Sequence, residues 1–276
     1  MKNLNDLDSF SQQFSNTEKM PVLFLGHGSP MNAIENNQFV EGFRNSVKNI
    51  PKPTSIICIS AHWYTKGTKV TAMEMPRTIH DFGGFPKELF EVQYPAKGNP
   101  QLAVETKKLL IPELVELDEK WGFDHGAWSV IKHLYPNADI PVIQLSIDYT
   151  KSAQYHFELA KKLNSLRKKG VLIIGSGNII HNLGMVDFKN FDKDNYGFEW
   201  AIEAKEIVNN LILKGDYQSL INYDRLGKAL QLAIPTPDHY LPLIYALGLQ
   251  EKGENISLFN DKLVAGSLSM TSLKIS

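Results

Sequence analysis

Residues 22–30 read Val-Leu-Phe-Leu-Gly-His-Gly-Ser-Pro, and this stretch constrains the fold more than any other. Four apolar residues in a row predict a buried strand, and the run stops at Gly26. An apolar run without polar alternation is what a strand covered on both faces looks like, as in a parallel sheet. His27 then sits between two glycines where the strand ends. Open α/β sheets bind ligands in the crevice beyond the strands' carboxyl ends, so His27 is placed to face one. Residues 55–63, Ser-Ile-Ile-Cys-Ile-Ser-Ala-His-Trp, repeat the arrangement with His62. The working expectation is that His27 and His62 share a metal ion.

The intervening residues 34–48 carry Ile34, Phe39, Val40, Phe43 and Val47 at helical spacing, and Pro51-Lys52-Pro53 ends that segment. The result is a strand–helix–strand unit, the building block of a parallel sheet. Further helices are predicted over 100–112, 130–134, 152–168, 198–214, 216–230 and 241–248. Further strands are predicted over 68–73, 140–147, 171–174, 255–259 and 262–274. Residues 76–99 hold Pro76, Gly83, Gly84, Pro86, Pro95 and Gly98 without a sustained period. A loop of that length in a compact domain usually carries function. No repeat or linker divides the chain. The expected architecture is a single α/β domain over residues 20–276, with a central, largely parallel or mixed sheet flanked by helices. Its active site is expected at the strands' C-terminal ends, and residues 1–19 read as a polar N-terminal arm, partly helical at most.

Composition mainly excludes. A formal charge of −1 argues against a nucleic-acid surface or a polybasic membrane patch. No apolar run approaches the length of a membrane span, and the first nineteen residues lack the apolar core of a signal peptide. The lone Cys58 lies in an apolar run, reads as a core residue, and fits a reducing compartment. A cytoplasmic protein is expected. No coiled coil or apolar face stands out, which leaves a monomer or a small homo-oligomer.

The chain has eight histidines. His133 and His156 fall inside helical patterns and are expected at the surface or its boundary, without a role. The other six lie at strand ends or in segments rich in Gly, Pro, Ser or Asn. His27, His62 and His181 each follow a strongly apolar strand, and in a parallel sheet such ends open onto one rim. Converging imidazoles there suit a first-row divalent ion with water or substrate on the open positions. His239, placed by Pro235 and Pro237, is a candidate for a further ligand. Any such site is assembled from distant segments, because no His-Glu-x-x-His or Cys-x-x-Cys pair is present. The Gly-x-Ser-x-Gly elbow of serine hydrolases is absent too, and Gly175-Ser176-Gly177 reads as a strand-to-loop turn.

Several segments together resemble the class III extradiol ring-cleaving dioxygenases, closest to the bacterial and plant DOPA 4,5-dioxygenase branch. They are Gly26-His27-Gly28-Ser29-Pro30, Ser60-Ala61-His62-Trp63, Thr78-Ile79-His80-Asp81-Phe82-Gly83-Gly84-Phe85-Pro86 and Gly122-Phe123-Asp124-His125-Gly126. Gly177-Asn178-Ile179-Ile180-His181, Pro235-Thr236-Pro237-Asp238-His239-Tyr240 and Gly266-Ser267-Leu268-Ser269-Met270 continue the series in order. The resemblance covers nearly the whole chain from Met20. It implies a single α/β domain that cleaves a catechol ring with O2, using one divalent ion, Zn(II) or non-haem Fe(II). It further implies His27 and His62 as metal ligands, His239 where more distant relatives place a glutamate ligand, and His181 as a base that can also reach the metal. His125 matches a histidine near bound substrate and O2, while His80, Phe82 and Phe85 would wall the substrate pocket.

The activity so implied is opening of a catechol such as L-DOPA to a muconic semialdehyde, with His181 taking a phenolic proton. An all-histidine ligand set would also be comfortable for tetrahedral zinc. The first rival is therefore a zinc-dependent hydrolase, with Asp124 or Asp238 as its general base. A non-enzymatic metal-binding relative is the second. A tetrapyrrole chelatase ranks last, since it would lack the Ser-Ala-His-Trp and Pro-Asp-His-Tyr segments.

Overall fold

The computed structural model describes residues 19–191 and 193–276, and the expected polar arm lies outside the described residues except for Lys19. Lys19 belongs to the fold: its ammonium pairs with Glu251 at 3.0 Å and Glu254 at 2.8 Å. Six strands form the main sheet: β1 (Val22–Gly26), β2 (Ser55–Ser60), β3 (Val142–Gln144), β4 (Val171–Gly177), β5 (Ile256–Phe259) and β6 (Ser272–Ile275). Their spatial order is β5-β6-β1-β4-β2-β3. β1, β4, β2 and β3 run parallel, while β6 is antiparallel to both β1 and β5. The sheet is mixed, with a parallel heart.

The uninterrupted apolar runs follow from burial on both faces. Val22, Phe24, Ile57, Ile59 and Ile173 pack into one core, and Leu23, Leu25, Ile56, Cys58, Leu172 and Ile174 into the other. The first core lies under α4 (Ala153–Lys161), α5 (Glu199–Lys214) and α6 (Leu241–Gly248). The second lies under α1 (Gln38–Ser46) and α3 (His125–Leu134). α2 (Pro100–Leu109) completes the main helices. Their starts are set by side chains that accept from free backbone N–H groups: Asn37 for α1, Asn99 for α2, Asp124 for α3 and Ser152 for α4.

Two long helical expectations break. Residues 152–168 split into α4 and the turn Asn164–Arg167. Residues 216–230 break into Tyr217–Ile221, the short 3-10 turn Tyr223–Arg225 and Lys228–Ala233, with Gly227 at φ 100° just before the last. The expected strand at 262–274 is two short pieces, Leu263–Val264 and Leu268–Ser269, followed by β6. Among the described residues, no helix is long and apolar enough to cross a membrane.

His133 and His156 are not surface residues. His133 is buried at the end of α3 with Nε2 2.7 Å from the Asn32 carbonyl. His156 is fully buried in α4, its Nδ1 3.0 Å from the Tyr245 hydroxyl of α6. A histidine with one polar partner fits at a helix–helix contact, which helical period alone does not distinguish from an exposed one.

Candidate metal centre

The register of the parallel heart builds the site. Gly26 of β1 pairs with Gly177 of β4, and Ser176 pairs with Ser60 of β2. The three strands therefore end level, with β4 between the other two. His27 leaves β1 and His62 leaves β2 on either side of Ser176. His239 arrives from the loop before α6, and its carbonyl accepts from Asn178 N at 2.9 Å just past the end of β4. A Cβ on Gly177 would stand 2.1 Å from that carbonyl, so the loop seats on the strand end only because residue 177 is glycine.

Three rings gather at this rim. The centroids of His27 and His62 are 5.1 Å apart, those of His27 and His239 5.3 Å, and those of His62 and His239 5.0 Å. His125, at the start of α3, adds a fourth ring 3.8 Å from His62 and 5.7 Å from His27. Ligand atoms of His27, His62 and His125 all lie within 4.8 Å of one another, so this group could hold a metal ion; His239 does not belong to that group. His181 lies against the far face of His239, centroids 3.5 Å apart and planes within 7°.

The hydrogen-bond partners decide which nitrogens face inward. Ser176 Oγ donates its one proton to the Gly126 carbonyl, so toward His27 Nδ1, 3.0 Å away, it can only accept. The His27 proton is thereby on Nδ1, and Nε2 presents a lone pair. His62 Nδ1 faces Asp81 Oδ2 at 3.3 Å, which places its proton there too. His239 Nδ1 donates to Asp238 Oδ2. Carboxylates or hydroxyls behind a metal-binding histidine orient it and raise its basicity.

The Nε2 atoms of His27 and His62 stand 3.3 Å apart with lone pairs toward each other. Two such lone pairs repel unless a cation lies between them. Nitrogens about 2.0–2.1 Å from one tetrahedral ion are separated by roughly 3.3 Å, so the spacing fits a shared divalent ion. Charge states agree. Burial, then the other histidines, holds His27 and His62 well below the usual imidazole pKa. Burial, then His239, brings His181 down to about 3. All three are neutral near pH 7, as ligands and a base must be.

Asp81 was not singled out in the sequence, yet it joins two parts of the site. Its Oδ1 lies 3.0 Å from His125 Nδ1, an ion-pair contact not aligned as a hydrogen bond, and accepts from the His125 backbone N–H at 2.8 Å. Its Oδ2 faces His62. Burial works against its ionisation, but the bond and charge of His125 outweigh burial and keep its pKa below the ordinary value. The only signal was its place in the His80-Asp81-Phe82 loop. Ser176 was read as a turn residue, because strand register is invisible before the sheet is assembled.

The two carboxylates a hydrolase would need as base are both engaged. Asp124 is fully buried. Its Oδ1 accepts from Ser60 Oγ and Ala127 N, its Oδ2 from Gln144 Nε2 at 2.7 Å and Trp121 Nε1 at 3.2 Å. The side chains of Asp238 and His239 face each other, since a turn, unlike a strand, does not alternate directions. Of the expected pocket wall, Phe82 packs edge-on against His125 at 5.5 Å, and Phe85 against Phe82 at 5.5 Å. His80 is one step back, its Nε2 2.9 Å from the Val92 carbonyl and its ring on Phe82 and Trp128.

Comparison with known proteins agrees with this fold. A family described as the catalytic LigB subunit of aromatic ring-opening dioxygenase matches residues 21–266, and the chain belongs to this family of class III extradiol dioxygenases. The chain is similar to a protein of Escherichia coli (strain K12) named 4,5-DOPA dioxygenase extradiol, 47% identical over 262 residues, 93% of this chain and 95% of that one. A Beta vulgaris protein of the same name is 34% identical over 260 residues, 92% and 95% of the respective chains. A crystal structure of an uncharacterized protein from Escherichia coli K12 aligns with a TM-score of 0.80 at 41% identity, over 93% of this chain and all of that one.

Proposed function

We propose that the protein opens the ring of a catechol such as L-DOPA with O2, giving a muconic semialdehyde. The observation that carries this reading is the pair of inward lone pairs on His27 and His62, each ring held from behind by a separate partner. His27, His62 and His239 would hold one divalent ion, Fe(II) or Zn(II). When bound, Fe(II) supplies the electron relay between catechol and O2 that zinc, with a fixed oxidation state, does not.

The remaining steps belong to the chain's own side chains. A neutral His181 ring accepts the phenolic proton as the catechol is seated. Stacked on His239, it keeps its distance from the ring without needing a hydrogen bond of its own. His125, oriented by Asp81 through both its backbone and its ring, presents a polar edge to substrate and oxygen. Phe82 and Phe85 offer faces to a flat ring and exclude water. The nearby carboxylates orient histidines or cap a helix, which supports ring opening over hydrolysis.

The test is anaerobic reconstitution with Fe(II), followed by L-DOPA and O2, with the yellow semialdehyde as readout. If Fe(II)-loaded protein gives no ring-opened product from L-DOPA, caffeate or protocatechuate, the reading fails.

A further inference from the structure

Asp124 makes more bonds than a helix cap needs. A cap requires one acceptor for a free backbone N–H, here that of Ala127 at 3.1 Å. Asp124 also accepts from Ser60 Oγ, Gln144 Nε2 and Trp121 Nε1, and its own N–H donates to Gln144 Oε1 at 3.2 Å. With two bonds on each oxygen, the carboxylate has no place for a proton. The residue is fully buried and all four donors are neutral. A buried ion of this kind is tolerable only while its lone pairs are met, so the arrangement is costly to disturb.

Three of the four bonds lead to the imidazole cluster. Ser60 Oγ, while donating to Asp124, accepts from the His62 N–H at 3.2 Å, where the chain leaves β2. The Trp121 ring stacks on Trp63, the residue after His62, with planes 3° from parallel. The bond to Ala127 fixes the first turn of α3, whose first residue is His125. The fourth bond anchors the group to the sheet, because Gln144 of β3 pairs with Cys58 of β2. The two sides meet closely. A Cβ on Gly126 would stand 2.4 Å from Ser60 Oγ and 2.7 Å from His62 Cδ2. Across this contact the His62 and His125 rings are 3.8 Å apart.

We propose that Asp124 is a positioning residue that sets the separation of His62 and His125, by tying Ser60, Trp121 and the start of α3 to one carboxylate. The consequence for an ion on His62 and a substrate beside His125 rests on the ring-opening reading; the separation itself does not.

Imidazole signals of metal-free, histidine-labelled protein in two-bond proton–nitrogen correlation spectra read the separation without turnover. Asp124→Asn turns an amide N–H toward the donors of Gln144 and Trp121, and should shift the His62 and His125 signals while leaving His156 in place. The double variant Asp124→Asn/Gln144→Glu puts the carboxylate on the other side of the same bond and should return both signals toward wild type. Ser60→Ala leaves the cap of α3 intact and should move His62 more than His125; it carries the test if Asp124→Asn does not fold. Calorimetric titration with Zn(II) should show a Kd weakened about 10–100-fold in Asp124→Asn. Unmoved His62 and His125 signals overturn the proposal. So does displacement of His156 along with them, which would mean general loosening, or a double variant that restores neither signal. If wild-type protein takes up no Zn(II), the metal reading falls, and the imidazole signals still decide what Asp124 holds in place.

Discussion

The rings of His181 and His239 lie face to face, 3.5 Å between centroids and 7° from parallel. Two imidazoles at that distance cannot both be charged at acceptable cost, and burial already holds His181 neutral down to about pH 3. Asp238 keeps the proton of His239 on Nδ1. In the proposed reading, His239 would bind the cation and His181 would accept the proton.

That division separates two variants. His181→Ala is expected to keep metal content near wild type while kcat falls on the order of 10²–10⁴-fold, the usual range for a lost acid–base group. His239→Ala should instead lower metal affinity. Elemental analysis after dialysis, alongside O2 uptake, distinguishes them; metal loss in His181→Ala with His239→Ala fully loaded would reverse the assignment.

Asp81 touches both His62 and His125, whereas Asp238 pairs with one histidine, His239. Asp81→Asn should therefore weaken metal binding by about 10–100-fold and also depress kcat at saturating metal. Asp238→Asn should show the first effect with full recovery of kcat once metal is saturating. A metal titration of activity for each variant checks this, and identical behaviour of the two would remove the special role of Asp81.

His156 makes acid stability a separate matter from the metal centre. Burial lowers its pKa to about 4, against an ordinary 6.5 in the unfolded chain. Above pH 6.5 neither state binds a proton there, and stability is unaffected. Between 6.5 and 4 only the unfolded state takes one up, so stability is lost as pH falls, by about 3 kcal/mol at most. The slope of unfolding free energy against pH in His156→Phe should be shallower over that interval. Urea denaturation of metal-free protein at several pH values measures it, and an unchanged slope would count against a buried neutral His156.

How much of this was legible beforehand depended on whether a feature is local. Apolar runs that end in Gly-His or Ser-Ala-His announce themselves, so β1, β2, β4 and the placing of His27 and His62 could be read directly. The helix predicted for 216–230 failed at Asn222 and again at Gly227, where the chain turns in ways that the helical spacing does not register. Asp81 and Ser176 were hidden for another reason. Each acts across strands or loops that become neighbours only when β4 is inserted between β1 and β2. His156 was misplaced because a helix buried on two sides retains its period while losing its exposed face.

Gly177→Ala tests the seating of His239. The added methyl would meet the His239 carbonyl at 2.1 Å, and a backbone atom cannot rotate away. A loss of about 1–3 kcal/mol in stability is expected, as for other overpacked sites, together with weaker metal binding. Gly84→Ala is the control, since nothing lies near its Cβ and only its φ of 78° opposes the change. Unfolding midpoints and metal affinities of the two variants give the comparison.

His27, His62 and His239 come from the first, second and last parts of the chain, and an ion held by all three is a crosslink across nearly its whole length. Closing such large loops costs entropy that grows only slowly with their size, so a single ion restrains long stretches of chain at once. Metal supply would then set the lifetime of the protein as well as its activity: free ion in hundredfold excess over its Kd adds about 2.7 kcal/mol against unfolding. A cell short of the metal would hold a chain that is both inactive and easier to degrade.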